Sequence, residues 1–361
     1  YKFLEPMDFI NMRLTGKACA NQCSNIATLL IDNRMDGSKD YNPWALKLSG
    51  VDRSKLPDLS PVGSVVGNIK PEIAAEWGLT TSTVVVASAT DNSVTPIGAG
   101  AVDDYEAVAV MGTSGMLVFH FPRKKSDLLL GMVTMPGAIN GRYVFSADTG
   151  NTGAVVNAFL NNFIYGHDRF NDHEIPADIY DRLNQAAAQA PVGSEGVLFL
   201  PWFNTGALAP TNDRFLRGGF INLTNHTSRN HLVRAMLEGI AFNWRWLKES
   251  AETFSKYKFP YWRITGGAAA SDIWAQIMAD VIGIPMHQQE NPGNASVLGM
   301  AFLAFHYLNL MPITDAPSKV ITKHVFKPIP ANQVVYDRLY SQFRQCYRQL
   351  KPVFHSLNKP S

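Results

Sequence analysis

Apolar positions alternate with a period of two in some stretches and recur at helical spacing in others, and the two patterns take turns along the chain. That succession predicts an α/β fold. Residues 7–32 read as helical around a turn at Leu14-Thr15-Gly16-Lys17, and a loop rich in Asp, Pro and Gly runs from 36 to 63. A short helix over 71–77 precedes a β-branched run, 83–88, that reads as a buried strand. Residues 107–111 and 116–121 flank a glycine turn at 112–115 and predict a hairpin. Strands are also expected at 143–147, 197–200 and 262–265, with a helix near 152–163.

The longest helix is expected after a cap at Thr227 or Ser228. Leu232, Met236, Ile240 and Trp244 form one stripe there, with Val233, Leu237 and Ala241 beside it. Glu238, Trp244, Arg245 and Trp246 read as packing residues with polar tips. Gly266-Gly267 separates the 262–265 strand from a helix that starts at Ser271 and ends near Gly283, with Pro285 beyond. A small-residue helix covers 296–305. The last thirty or so residues form an amphipathic helix with Tyr336, Leu339, Phe343 and Tyr347 on its apolar side. The pattern changes character around 101–104, which places a domain boundary there: 1–104 and 105–361.

Composition narrows the function classes. Of 361 residues 46% are apolar and 17% charged, as in a core-rich globular protein. The net charge of +2, with no like-charge block beyond Arg123-Lys124-Lys125, argues against a nucleic-acid surface. No apolar run approaches the ~18 residues a membrane span needs, and no signal-peptide core opens the chain, so a cytoplasmic protein without a membrane partner is expected. Cys19 and Cys23 would share a face of a helix, but no second Cys/His pair completes a zinc site, and no metal ligands are predicted. Opening on Tyr1 and entering directly on Phe3-Leu4, the sequence reads as a truncated or processed polypeptide.

Three segments carry candidate chemistry. Asp91, in Ala89-Thr90-Asp91-Asn92-Ser93, follows a predicted strand, where an acid could take a proton from a substrate hydroxyl. The same residue could instead serve only a helix N-terminus. Gly112-Thr113-Ser114-Gly115 could offer backbone N–H groups and two hydroxyls to phosphate oxygens, or be a turn and nothing more. Gly266-Gly267 could admit a flat ligand close to the backbone at a helix N-terminus. None is a Walker A loop, and Ala268-Ala269-Ala270 denies the later glycine of a nicotinamide dinucleotide fingerprint.

The order of these segments resembles the FGGY sugar kinases of the actin-like ATPase (ribonuclease H-like) fold, over essentially the whole chain. Gly218-Gly219-Phe220-Ile221-Asn222-Leu223, then seven residues, then His231-Leu232-Val233-Arg234-Ala235-Met236-Leu237-Glu238 is similar to that family's C-terminal signature, with Asn222 where glycine is expected. The resemblance implies a two-domain fold whose first domain is incomplete here. It implies Asp91 as the catalytic base and Asn92 as a sugar contact. Gly112, Thr113 and Ser114 would form the second phosphate turn, and Gly266, Gly267, Ser271 and Gln276 the nucleoside site. Gly98 and the 296–301 segment, with Gly299 and Ala301, would form the crossing helices of an interdomain hinge. The implied cofactors are ATP and Mg²⁺, and the implied partner is a small-molecule sugar, a ketose such as xylulose or a polyol; a homodimer is the one assembly left open. Ser88 stands where glycine is usual, and Ala207-Leu208 replaces a frequent Glu-Arg pair. The family's first phosphate loop, Asp-x-Gly-Thr, does not occur ahead of this region, so the 361-residue chain alone is expected to be inactive. The competing reading is a catalytically silent nucleotide-binding or regulatory homologue.

Overall fold

A computed structural model describes residues 1–34, 40–87, 89–166, 168, 174–203 and 208–359; Ser88 and the 204–207 stretch, which holds Ala207, lie outside them. The first part of the chain is built from short elements: α1 (Pro6–Thr15), β1 (Cys19–Ala20), α2 (Pro43–Ser49), β2 (Asp58–Leu59), β3 (Val65–Asn68), α3 (Pro71–Trp77), β4 (Val84–Val86) and α4 (Asp91–Gly98). α1, α2 and α3 each carry proline in the first turn and stop at a left-handed glycine, Gly16, Gly50 and Gly78. β1 pairs in parallel with β2, and β3 antiparallel with β4.

Two expectations need correction here. Helix does not continue through residue 32: Gly16 takes φ 83 and ends α1, so Cys19 lies on β1 and Cys23 in the turn after it, not on one helical face. The 83–88 run is a strand but not a buried one, with Val84 exposed, because β3 is its only sheet partner among the described residues. A β-branched run reports strand preference, and burial has to come from a covering layer.

The second part contains β5 (Val108–Val110), β6 (Met116–Phe121), β7 (Ser126–Asp127), β8 (Met132–Pro136), β9 (Tyr143–Asp148), α5 (Gly153–Phe159), α6 (Ile179–Gln189), β10 (Leu198–Leu200), β11 (Gly219–Ile221) and α7 (Arg229–Ser255). It continues with β12 (Trp262–Thr265), α8 (Asp272–Ile282), β13 (Met286–Gln289), α9 (Ala295–Tyr307), α10 (Ala316–Lys319), β14 (Thr322–Phe326) and α11 (Pro330–Asn358). Eight of these strands form one sheet in the order β14-β13-β12-β5-β6-β9-β8-β7. β13, β12 and β5 run parallel, and the β5–β6 hairpin turns the sheet antiparallel. Strand alternation sorts the two faces. Ala107, Ala109, Met111, Leu117, Phe119 and Phe121 join the core under α7 and α8, whereas Val108, Val118 and Val144 pack on Ala99 and Ala101 just after α4.

Ser228 caps α7 in a reciprocal box with His231, as its position suggests. α7 is not the longest helix, however: it has 27 residues and the C-terminal α11 has 29. Asn222 adopts φ 67, the left-handed region where a glycine is usual and asparagine the best-tolerated substitute. Inside α7, Glu238 Oε1 accepts from Arg234 Nε (2.8 Å), the Gly193 amide (2.9 Å) and the Tyr336 hydroxyl (2.8 Å), and Oε2 accepts from Ser194 Oγ (2.9 Å). Arg234 donates onward to the carbonyls of Ala187 and Ala190, which anchors the end of α6.

Candidate active site

The β5–β6 turn and the junction after β12 meet because their strands are parallel neighbours. Met111 N–H donates to the Thr265 carbonyl (2.6 Å), and the Ala268 amide donates back to the Met111 carbonyl (3.0 Å). Gly266, at φ 91, makes this approach possible: a Cβ there would stand 2.7 Å from the Met111 carbonyl carbon and oxygen. Across the turn, Gly153 N–H donates to Gly112 O (3.0 Å) and Ala154 N–H to Thr113 O (2.7 Å), so the loop after β9 cradles the hairpin. Gly115 has no room for a Cβ, which would lie 2.2 Å from Thr152 Oγ1.

Between these turns and α6 lies an open cleft of ≈ 530 Å³. Gly112, Thr113, Gly153 and Asn157 form one wall, Gly267, Ala268, Ser271 and Trp274 another, and Tyr180, Asp181 and Asn184 of α6 the third. Ser271 caps α8 by accepting from Trp274 N–H (3.2 Å) and donates its proton to Asn184 Oδ1 (2.6 Å). The amide NH₂ of Asn184 is thereby left as a donor at the cleft wall. Gly112 and Gly267 have no atom within 4 Å of where a Cβ would sit, so both keep their backbone open to the cleft.

Of the sequence-predicted residues, Gly112, Thr113, Gly267 and Ser271 line this cleft, and Gly266 shapes it from behind. Ser114 sits in the same turn but is not part of the wall. Gln276 is a correction: two residues beyond Trp274 it falls on the far side of α8, where its amide donates to Asp280 Oδ1 (2.8 Å) and the Lys327 carbonyl (2.9 Å). Gly153, Asn157, Tyr180, Asp181 and Asn184 escaped the sequence reading. Asp148-Thr149-Gly150-Asn151-Thr152-Gly153, with two glycines and two hydroxyls after a strand, is the signal that could have found the loop.

Asp91 and Asn92 do not line the cleft but open α4. Thr90 is the N-cap residue and makes no side-chain cap bond; the exposed Asp91 carboxylate accepts from the adjacent Asn92 amide (2.7 Å). Asp91 thus makes no capping bond to a later amide of α4, though as an acid in its first turn it suits the positive end of the helix. Asn92 Oδ1 is enclosed and has no hydrogen-bond partner among the described residues. Thr95, one turn on, donates to the Asp91 carbonyl (2.8 Å), so its 2.8 Å contact with Ser296 of α9 must use the serine proton. Ala301, expected at that helix crossing, lines a recess with Val84 and Val86 of β4.

A second cavity of ≈ 510 Å³, lined by Gln22, Arg34, Ser60, Asn140 and Arg142, contains none of these residues. Its guanidinium groups are already paired, Arg34 with Asp32 (2.5 Å) and Arg142 with Asp103 (3.9 Å) and Asp104 (3.8 Å). Among the described residues no three His, Cys, Asp or Glu side chains converge to hold a metal ion, and no helix is long and apolar enough to cross a membrane.

Comparison with known proteins matches residues 1–98 to the N-terminal domain, and 107–308 to the C-terminal domain, of the FGGY family of carbohydrate kinases. A xylulose kinase of Lactococcus lactis is 28% identical over 365 residues, covering 99% of this chain and 68% of the relative. A gluconokinase of Bacillus subtilis is 26% identical over 326 residues, covering 89% and 60%. The crystal structure of a xylulose kinase from Rhodospirillum rubrum superposes with a TM-score of 0.81 at 27% identity, covering 96% of this chain and 67% of that one.

Proposed function

Because the chain belongs to the FGGY family of carbohydrate kinases and has their two-domain, actin-like α/β fold, we propose that it moves the γ-phosphoryl group of ATP onto a hydroxyl of a ketose such as xylulose, or of a polyol, with Asp91 as general base. What supports the reading most is the convergence of Gly112 and Thr113 with Gly267 and Ser271, from two segments far apart in the sequence, on one open cleft.

In this reading the backbone amides of the Gly112–Ser114 turn, with the Thr113 hydroxyl, hold phosphate oxygens. The nucleoside lies against the Gly267–Ser271 turn, where side chains are small and the N-terminus of α8 adds partial positive charge. Asn184 and Tyr180 close its far side. Asn92, on the first turn of α4, contacts the sugar, and the neighbouring Asp91 takes the proton of the attacking hydroxyl. ATP would supply the phosphoryl group, and Mg²⁺ bound with it would neutralise phosphate charge, with Asp91 the carboxylate placed to face it through water.

The test is ADP formation by the full native polypeptide against xylulose, ribulose, gluconate and glycerol. The expected result is saturable turnover that depends on one ketose or polyol. Nucleotide binding with no turnover across the panel would favour the silent homologue instead.

A further inference from the structure

β13 ends in two consecutive glutamines, Gln288 and Gln289, both buried. Buried amides are costly unless bonded, and successive strand residues face opposite sides of a sheet, so the pair can serve two different layers. Gln288 turns to the α8 face. Its amide donates to the Ala269 carbonyl (2.8 Å) and to Asp272 Oδ1 (2.9 Å), bracing the 267–270 turn that lines the cleft.

Gln289 turns to the opposite face and reaches the last residue of α4: its amide donates to the Gly98 carbonyl (3.1 Å). A carbonyl can only accept, so the NH₂ must face Gly98 and Oε1 must face the other way. There it meets Thr265 Oγ1 at 3.3 Å. Thr265 shares its proton with the Pro292 carbonyl, which also accepts from the Gly266 amide (2.7 Å). Pro292 leads into α9, which crosses α4. One continuous set of hydrogen bonds therefore runs from the Gly266 turn through Thr265 and Gln289 to the C-terminal end of α4, and Asp91 sits at the other end of that two-turn helix.

We propose that Gln289 is a positioning residue that ties occupancy of the nucleotide cleft to the placement of α4, and with it of Asp91. The proposal rests on the function proposed above. A ligand shifts a distant element only through contacts that differ between the element's two arrangements. Here the differing contact is the amide bridge, because a ligand seated on the Gly267–Ser271 turn shifts or stiffens the end of β12, where the bridge is anchored. α4 is short, and its last amides bond within the helix, Ala99 to Thr95 and Gly100 to Ile97, so displacement at Gly98 registers in their protection.

The experiment uses the full native polypeptide and ADP as the probe. Amide exchange at residues 99–101 is followed with and without ADP, alongside the ADP Kd from calorimetry. In the native protein ADP should slow exchange there by about fivefold or more. Gln289→Met keeps length and volume but removes both polar groups; Thr265→Val cuts the same path at its other end and covers the case in which the first variant folds poorly. Either should abolish the ADP-dependent slowing, leave Kd within about threefold, and lower kcat more than it raises KM for ATP. A bridge with only a structural role would lower stability while leaving the ADP-dependent slowing intact, and that result overturns the proposal. Failure of the native protein to bind ADP at all would overturn the underlying functional reading as well, which separates the two failures.

Discussion

Gly98 of α4 and Gly299 of α9 face each other with no space for a side chain between their helices. A Cβ on Gly98 would stand 1.7 Å from the Ala295 carbonyl oxygen, and one on Gly299 2.0 Å from that of Val94. The obstructing atoms are backbone, which cannot rotate aside. Gly299→Ala must therefore separate the helices, at a cost of about 1–3 kcal/mol or more. Denaturant unfolding of the variant measures it, and unchanged stability would mean that the helices do not cross so closely.

Gly112→Ala and Gly267→Ala act where the added methyl meets nothing in the protein. Stability should hold within about 0.5 kcal/mol, while the methyl intrudes on a ligand in the cleft and weakens ADP binding about tenfold, ~1.4 kcal/mol. Calorimetric titration checks both variants. Unchanged affinity would move the nucleotide away from this cleft.

Glu238→Gln leaves the Arg234 guanidinium almost fully buried without its counter-charge. The loss should be about 3–5 kcal/mol, since breaking one half of a buried pair costs more than replacing both. Arg234→Met combined with Glu238→Leu should recover much of it. A drop under about 1 kcal/mol for the single variant would show that water reaches the pair.

His120 sits fully buried on β6 with both ring nitrogens unpaired among the described residues, and burial, aided by Arg142, holds its pKa down at about 3 against an ordinary 6.5. Between those values the unfolded chain binds a proton that the folded one refuses, so stability present above pH 6.5 is lost as pH falls towards 3. The slope approaches about 1.4 kcal/mol per pH unit. Unfolding of the native protein and of His120→Leu across pH 7 to 4 isolates the effect: the variant's curve should be flatter, and parallel curves would contradict it.

The sequence shows most clearly what is local. Strand, Gly266-Gly267 and the helix that follows are contiguous, and the structure has them in that order with Ser271 as the cap. Asn222 could be picked out because its left-handed backbone leaves a compositional trace. Asn184 could not, since its partner Ser271 lies 87 positions away and nothing in the sequence of α6 marks the side chain that meets it. Gln288 and Gln289 were illegible for a different reason: polar residues in a short strand break the apolar pattern, and each donates to a backbone carbonyl, which every residue has. Gln276 misled because proximity in sequence to the cap does not fix the face of the helix.

The central claim places phosphoryl transfer at Asp91, supplied by a nucleotide bound in the cleft beside Gly112 and Gly267. Asp91→Asn in the full native polypeptide tests it most directly, with turnover and ADP affinity measured on the same preparation. The Asp91 carboxylate is exposed and, among the described residues, accepts only from its neighbour's amide, so the fold should not suffer. kcat should fall by about 10²–10⁴, with the Kd for ADP held within about twofold. A variant that keeps about a tenth of native kcat would contradict the general-base role.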